Sequence, residues 1–333
     1  MAVSYTGHRF LEEVANLGYR VLLLTIDEHR NAGWPLDAIG EVHSMPAGMS
    51  LQQITNTITY LARSRKFARI VALDRFNVEI AAALREHLRI PGMGVTTARY
   101  FSDRAAARIK AAHMGIEVPA CMLVANYDEL RHFMQAVPAP WLLTPRSASC
   151  GIDSQQLCEP EQVWRALDAL GDHQSGFLLE QSIEADRIYV DSLTADGKVL
   201  FSAVSPNRAG SSEGAEASEL LPPGKKSTTT AEIEQLRRAN TALLSSMRMA
   251  RGVTHTEFLR SRSTGEFYFM ETAANVDDRC VAAMMQETHE LNLWREWARL
   301  EVAAMRGEPY ALPSRASARK AFAGSAEGQH RLA

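Results

Sequence analysis

The first hundred residues alternate between helical and strand-like patterns of hydrophobic side chains. Apolar residues recur at intervals of three and four over 8–18, 51–65 and 78–88, which predicts three helices. β-rich apolar runs at 19–26 and 69–73 predict strands between them. Repeated units of this kind predict an α/β domain with a doubly wound parallel sheet.

Asp74 follows the second apolar run directly. Ligands of doubly wound sheets bind beyond the carboxyl ends of the strands, so this position favours a functional carboxylate. The alternative is a carboxylate that caps the next helix or lies in a loop.

The remainder of the chain contains longer helices and short strands in a mixed order. Helical spacing recurs over 103–115, 127–135, 159–170, 231–247 and 292–305. Strand patterns occur at 141–144, 176–181, 186–194, 198–205, 254–260 and 266–271. These elements predict α+β lobes that follow the N-terminal α/β domain.

The expected domains are an N-terminal domain at 1–98, a small lobe with its linker helix at 99–178 and a C-terminal lobe at 179–312. Residues 207–229 are rich in small residues and predict a long mobile loop, and 313–333 predict a flexible tail.

Composition narrows the functional classes. Hydrophobic residues make up 46% and charged residues 23% of the 333 residues, which supports a sizeable core. The net charge of -3 gives no basic footprint for nucleic acid or an anionic membrane. No apolar run approaches the ~20 residues of a membrane span. The four cysteines lack C-x-x-C spacing and the start lacks a secretion signal, so a cytoplasmic location is expected.

Two glutamates lie on adjacent predicted strands of one hairpin. Glu257 belongs to the run H-T-E-F and Glu271 to the run F-M-E-T. Facing carboxylates repel unless a cation lies between them, and oxygen ligands of this kind suit Mg²⁺ that also holds phosphates. The amide of Asn275 would add a third oxygen. The alternative is that both glutamates are ordinary strand-end acids on a solvated face.

A third acid ends a buried strand. Glu180 closes the apolar run F-L-L-E and is followed by Q-S-I, where the chain is expected to turn. Such a segment presents backbone groups to a flat ligand such as adenine, so this hinge strengthens the nucleotide interpretation of the glutamate pair.

Five motifs follow one another in an order that resembles the ATP-grasp ligases. They are P-x-P-W-L-L-x-P-R-S, L-L-E-Q-x-I, V-D-S-L-x-x-D-G-K-V, H-T-E-F and F-M-E-T-A-A. The segment N-L-W-R-E-W-A at 292–298 is similar to the end of bacterial biotin-carboxylase-like ATP-grasp proteins. The resemblance extends over about residues 4–312, and it rests on the order of the motifs because none is specific alone.

The resemblance implies two lobes that hold ATP between them, with Mg²⁺ bridging the phosphates to two acids. ATP then phosphorylates a small-molecule carboxylate, and an amine attacks the acyl phosphate. Glu257 and Glu271 match the metal acids, and Glu180 and Ile183 match the adenine hinge. Arg146 matches a basic residue that follows the lysine–proline pair of the family.

The departures from the family pattern cluster at the phosphate-binding positions. Thr144 replaces a lysine, and Arg104 replaces another lysine with a different donor geometry. Arg187 occupies a position expected to be acidic or small. Asn275 replaces the arginine that grips the substrate, and Arg279 or Arg187 are the candidates to substitute for it. The loop at 147–151 is also shorter than the family loop.

Two main functions therefore stay open. One is an Mg²⁺-dependent ATP-grasp ligase that joins a carboxylate to an amine. The other is a degenerate ATP-grasp pseudoenzyme that binds a nucleotide or another ligand as a regulatory or partner protein. A third option is a small-molecule binder that uses the cleft without ATP. A homodimer is a common assembly for such folds, although no residue here specifies it.

Overall fold

The computed structural model describes residues 1–147, 152–206, 228–276 and 291–313. Within these ranges the strands form three sheets, one of two strands and two of four strands. The helices cover the sheets and join them to one another.

The N-terminal segment contains the parallel strand pair and most of the short helices. Its elements are α1 (His8–Asn16), β1 (Leu22–Ile26), β2 (Glu41–Met45), α2 (Leu51–Ala62), α3 (Val78–His87), α4 (Val95–Ala98) and α5 (Arg104–Ala112). β1 and β2 pair in parallel, and α2 and α3 bury Ile54, Ile58 and Leu84 against them. The helices predicted over 8–18, 51–65 and 78–88 are confirmed, with ends within three residues of the prediction.

The strand predicted at 69–73 is wrong as a regular strand. The segment is extended but makes isolated hydrogen bonds to the start of the chain, where the Met1 ammonium donates to the Val71 carbonyl at 2.8 Å and the Leu73 amide donates to the Met1 carbonyl at 2.9 Å. The Ala2 amide continues to the Leu24 carbonyl of β1 at 3.0 Å. An apolar run predicts an extended segment, but it does not specify whether the adjacent segment makes enough hydrogen bonds with it to form a regular strand pair.

Of the two roles considered for Asp74, a ligand-binding carboxylate and a capping carboxylate, the structure shows the capping role. Its carboxylate is buried and accepts hydrogen bonds from the backbone amides of Val3 at 2.6 Å and of Phe76 and Asn77 at 3.1 Å. The carboxylate thus ties the first residues of the chain to the turn that starts α3.

The second sheet is antiparallel and belongs to the small lobe. Its elements are β3 (Cys121–Leu123), α6 (Tyr127–Ala136), β4 (Trp141–Pro145), β5 (Gln155–Leu157), α7 (Pro160–Leu170) and β6 (Phe177–Gln181). The strand order is β3-β6-β4-β5. Leu130 and Phe133 of α6 and Val163 and Leu167 of α7 bury one face of this sheet. β6 lies within it, across the domain boundary expected at 178.

The third sheet is a larger antiparallel sheet. Its elements are β7 (Ala185–Ala195), β8 (Lys198–Pro206), α8 (Thr230–Ser246), β9 (Gly252–Ser261), β10 (Phe267–Ala273) and α9 (Leu293–Arg306). The order is β10-β9-β7-β8, and all ten residues of β9 are buried. The predicted hairpin of Glu257 and Glu271 is confirmed by the pairing of β9 with β10, and β7 and β8 form a second hairpin. Phe10 of α1 packs edge-on against Trp297 of α9 at 5.2 Å, which joins the N-terminal segment to α9.

Several predicted features lie outside the described residues. They are most of the loop at 207–229, most of the loop at 147–151, Arg279 and the tail after 313. Among the helices that the structure does describe, none combines the length and the apolar character needed to cross a membrane.

Candidate functional site

A β-bulge in β10 brings the two predicted metal acids side by side. The register between β10 and β9 shifts between Phe269 and Glu271, and after the shift Glu271 lies directly opposite Glu257. The Arg108 guanidinium donates to the carbonyl of Met270, the residue within the shift, at 3.0 Å. Like charges directly opposite one another destabilise a strand pair, so this placement requires compensating cations.

Arginines supply that compensation. Glu271 pairs with Arg75 at 3.0 Å and also with Arg104. Glu257 pairs with Arg187 of β7 at 2.5 Å, diagonally across the β7–β9 ladder. Three guanidinium groups therefore stand beside two carboxylates. We call these five side chains the arginine–glutamate cluster.

The two carboxyl groups respond oppositely to this environment. Burial favours the neutral form of Glu271, but Arg104 and Arg75 outweigh burial and lower its pKa. Burial raises the pKa of Glu257, because Arg187 offsets the desolvation only in part and the neighbouring Glu271 acts in the same direction as burial. Glu271 is thus the firmly ionised member of the pair.

Two arginines on one face of α5 bridge the small lobe and the third sheet. Arg104 and Arg108 are four residues apart, so their side chains lie one turn apart on the same helix face. Arg104 reaches Glu271 and donates to the Pro145 carbonyl of β4 at 2.6 Å. Arg108 is almost fully buried and joins Glu180 of β6 to the Met270 carbonyl. The cleft between the lobes is therefore crossed by these two guanidinium groups.

The hinge acid has a buried side chain with two partners. Glu180 pairs with Arg108 and accepts a hydrogen bond from the Thr144 hydroxyl at 2.7 Å. Thr144 brings no charge to the position where the resemblance to ATP-grasp ligases predicts a lysine. Ile183 lies half-buried in the short connection between β6 and β7. The assignment of Glu180 and Ile183 to an adenine hinge stays a prediction. In such a hinge the backbone groups after β6 would bind the adenine.

Arg146 is tied to the start of α5. Its guanidinium contacts both carboxylate oxygens of Asp103, at 2.5 and 3.3 Å, and the Ser175 carbonyl at 3.4 Å. The same Asp103 carboxylate caps α5 by accepting from the Ala105 amide at 2.9 Å. Arg146 thus orients the helix that carries Arg104 and Arg108, and its nucleotide contact stays a prediction.

The sequence prediction did not identify Arg75 or Arg108 as members of this site. Arg108 was detectable in principle, because it follows Arg104 at the four-residue spacing of one helix face. Arg75 follows Asp74 at the end of an apolar run, where ligand-edge residues are expected. Neither pattern predicts that Arg75 pairs with Glu271, which is nearly two hundred residues away in the sequence.

The arrangement of charges does not fit a divalent cation as it stands. Both glutamates already have guanidinium partners, and the cations in the cluster outnumber the carboxylates. Asn275 donates its amide to the Val276 carbonyl at 3.2 Å, and its buried oxygen has no hydrogen-bond partner in the described residues. Within the same residues, no group of three His, Cys, Asp or Glu side chains could hold a metal. The Mg²⁺ ligands Glu257, Glu271 and Asn275 stay a prediction.

Comparison with known proteins gives one curated relative. No protein-family model matches the chain. The sequence is 23% identical over 245 residues to an L-arginine-specific L-amino acid ligase from Bacillus subtilis. The match covers 71% of this chain but only 58% of the relative.

Solved structures resemble the chain over most of its length. An L-amino acid ligase from Bacillus licheniformis superposes with a TM-score of 0.70 at 17% identity, covering 90% of this chain and 72% of that one. A biotin carboxylase from Campylobacter jejuni, in a β-γ-ATP complex, gives 0.71 at 15% identity, covering 93% and 70%. Both are ATP-grasp proteins. The chain therefore has the ATP-grasp fold, as the order of its motifs predicts.

Proposed function

We propose that this chain is an ATP-grasp protein that binds a nucleotide through its phosphates but does not use it for ligation. The observation that carries the proposal is the arginine–glutamate cluster, in which guanidinium groups already pair with both predicted metal acids. The protein would then act through the bound state, as a regulatory or partner protein.

The cluster supports binding of phosphate without a metal. Arg187 and Arg75 are 53% and 31% exposed at their side chains, so both can reach a ligand in the cleft. A guanidinium offers paired N–H donors that match two phosphate oxygens. Because the cations outnumber the carboxylates, an incoming polyphosphate meets a net positive surface rather than two bare acids.

The same cluster disfavours phosphoryl transfer. That reaction depends on positioned cations that neutralise charge on the transferred group. Thr144 supplies none at the family's lysine position, and its hydroxyl is engaged with Glu180. Losing one hydrogen bond to a charged group costs about 1.5–3 kcal/mol, or roughly ten- to a hundredfold. Several such losses at one site would suppress turnover.

The second candidate is an ATP-dependent ligase. It is favoured by the similarity to the Bacillus subtilis amino acid ligase and by the retained register of Glu257 opposite Glu271. In this candidate Mg²⁺ and ATP activate a small-molecule carboxylate as an acyl phosphate for attack by an amine. Its acid, its amine and its Mg²⁺ site are all proposals for this chain.

Calorimetric titration with ATP, in excess Mg²⁺ and separately in EDTA, distinguishes the candidates. We expect similar affinities in both, together with no release of ADP or phosphate when amino acids and other small carboxylates are added with amines. Binding that requires Mg²⁺, accompanied by ADP formation, would instead establish the ligase. If millimolar ATP does not bind in either buffer, both candidate functions would be overturned, and the cleft would bind a ligand other than a nucleotide.

A matched pair of variants locates the binding. Arg187→Gln removes an exposed guanidinium from the cluster, and we expect ATP affinity in EDTA to fall about tenfold or more, as for one charge-assisted contact. Arg131→Gln removes a comparably exposed arginine from α6, where it contacts Asp128 and the Trp164 ring, and should leave the affinity unchanged. Equal affinities in the two variants would contradict the placement of the phosphates at the cluster.

A further inference from the structure

A cavity separate from the arginine–glutamate cluster lies beside the 69–72 segment. It has a volume of about 430 Å³. Its walls come from that segment, the loop after α3 at 91–94, the turn between α8 and β9 at 248–252, and α9. We call it the arginine cavity. No member of the arginine–glutamate cluster lines it.

The charged residues that line this cavity are mostly positive. They are Arg69, Arg85, Arg248, Arg251 and Glu301. The whole chain carries a net charge of -3, so this concentration of arginines is not a feature of a generally basic protein. One carboxylate cannot neutralise four guanidinium groups, and the cavity therefore has a positive potential.

The arginines are held in place, yet some donors lack acceptors. Arg85 is fixed by hydrogen bonds to the Met93 carbonyl at 2.9 Å and the Ile70 carbonyl at 2.7 Å. Arg69 lies 3.6 Å from Glu301, which is too long for a hydrogen bond. The Nε groups of Arg69 and Arg251 are buried and have no hydrogen-bond acceptor among the described residues. Buried charged donors without acceptors are costly, so an added acceptor would be stabilising.

The electrostatics of the group agree with incomplete compensation. Burial lowers the pKa of Arg69 and of Arg85, which shows that their surroundings disfavour an isolated positive charge. Burial also raises the pKa of Glu301, although Arg251, Arg69 and Arg85 oppose it. Glu301 opposes the lowering of both arginine pKa values and Glu86 opposes it at Arg85, without overcoming burial.

Apolar side chains form the remaining wall. Ile70, Val78, Met249, Val253 and Trp297 line the cavity beside the arginines. A small inorganic anion would leave this wall in contact with water. An anion with an apolar body would cover it and gain the free energy of apolar burial.

We propose that the arginine cavity binds a small organic oxyanion, with a phosphate or carboxylate head at the arginines and an apolar body against Trp297. The site is separate from the nucleotide cleft but shares two chain segments with it. Arg75 follows the 69–72 segment, and Ala274 of the cavity wall lies three residues beyond Glu271.

Calorimetry with phenyl phosphate and with benzoate tests the site in the full chain without nucleotide. We expect both probes to bind, and benzyl alcohol, which has the ring without the charge, to show no binding. Inorganic phosphate should bind more weakly than phenyl phosphate. Equal binding of the two phosphates would contradict the role of the apolar wall, and failure of both aromatic anions to bind would overturn the site.

Variants separate this site from the cleft. Arg251→Gln should weaken phenyl phosphate binding by about tenfold or more, as for one charge-assisted contact. Arg248→Gln changes an exposed side chain and should weaken it in the same direction even if Arg251→Gln does not fold. Arg187→Gln and Arg131→Gln should leave it unchanged. If only Arg187→Gln loses phenyl phosphate binding, the probe binds in the cleft and the proposal for the arginine cavity is overturned. That result would not overturn metal-free ATP binding in the cleft, which is tested separately.

Discussion

The arginine–glutamate cluster and the arginine cavity combine the same residue types with opposite results. In the cluster each glutamate has at least one guanidinium partner in direct contact, with separations of 2.5 Å for Arg187–Glu257 and 3.0 Å for Arg75–Glu271. In the cavity the Arg69–Glu301 separation is 3.6 Å, and two guanidinium Nε groups have no acceptor in the described residues. The arginines of the cluster are thus paired directly with glutamates, whereas two buried Nε groups of the cavity arginines lack an acceptor among the described residues.

The largest expected effect concerns the most buried ion pair of the cleft. Arg108→Met should destabilise the protein by about 3–5 kcal/mol, because it leaves the buried Glu180 carboxylate without its cation. Arg131→Met removes an exposed pair with Asp128 and a cation–π contact with Trp164, and it should cost about 1 kcal/mol or less. Urea unfolding at neutral pH measures both.

A second variant isolates the cause of this loss. In Arg108→Met combined with Glu180→Leu no charge is left buried, so much of the stability should return. A double variant no more stable than Arg108→Met would show that the helix-bridging contacts of Arg108 matter more than its charge. A small effect of Arg108→Met itself would contradict the view that the cleft is held by satisfied ion pairs.

The next effect is a difference in pH dependence between the paired glutamates. The folded pKa of Glu271 lies below its ordinary value of 4.5, so its stabilising contribution is present above that value and is lost as the pH falls. At neutral pH, Glu271→Gln weakens charge-assisted hydrogen bonds from Arg75 and Arg104 and should cost about 1.5–3 kcal/mol. This cost should shrink as the pH falls below about 4.5.

Glu257→Gln is the matched substitution with the opposite sign. The folded pKa of Glu257 is raised, so its contribution is present below the ordinary value and is lost as the pH rises through the folded pKa. The cost of Glu257→Gln should therefore be smaller at neutral pH than in acid. Unfolding curves for both variants between acid and neutral pH measure the contrast. If the costs of the two substitutions changed with pH in the same way, the inference that arginines outweigh burial at Glu271 but not at Glu257 would be wrong.

The sequence predicted the elements more fully than their contacts. Helices such as α2 and α3 were predictable because hydrophobic periodicity is a local property. The hairpin of Glu257 and Glu271 was predictable for the same reason. The bulge that sets their register lies at Met270, whose carbonyl accepts a hydrogen bond from Arg108, a residue far away in the chain.

The guanidinium partners are likewise a product of the tertiary fold. Arg104 and Arg187 were singled out as departures from a family pattern, but their pairing with Glu271 and Glu257 required the lobes to meet across α5 and β7. The arginine cavity had no sequence signal, because Arg69, Arg85 and Arg251 come from three separate segments. Hydrophobic periodicity predicts helices and strands, but it does not predict which charged side chains from distant segments pair with one another.

The smallest expected effect applies the same glutamate-to-glutamine change to the cavity. Burial raises the pKa of Glu301, so the fold disfavours its charged form, and a neutral isostere at neutral pH should change stability by less than about 1 kcal/mol. The substitution also removes the acid that lines the cavity and competes with an added anion for Arg69 and Arg251. Phenyl phosphate should therefore raise the melting temperature of Glu301→Gln more than that of the unmodified protein, whereas Glu271→Gln should show no such gain. A smaller shift in Glu301→Gln would mean that Glu301 already satisfies the cavity, and the contrast between the two arginine sites would disappear.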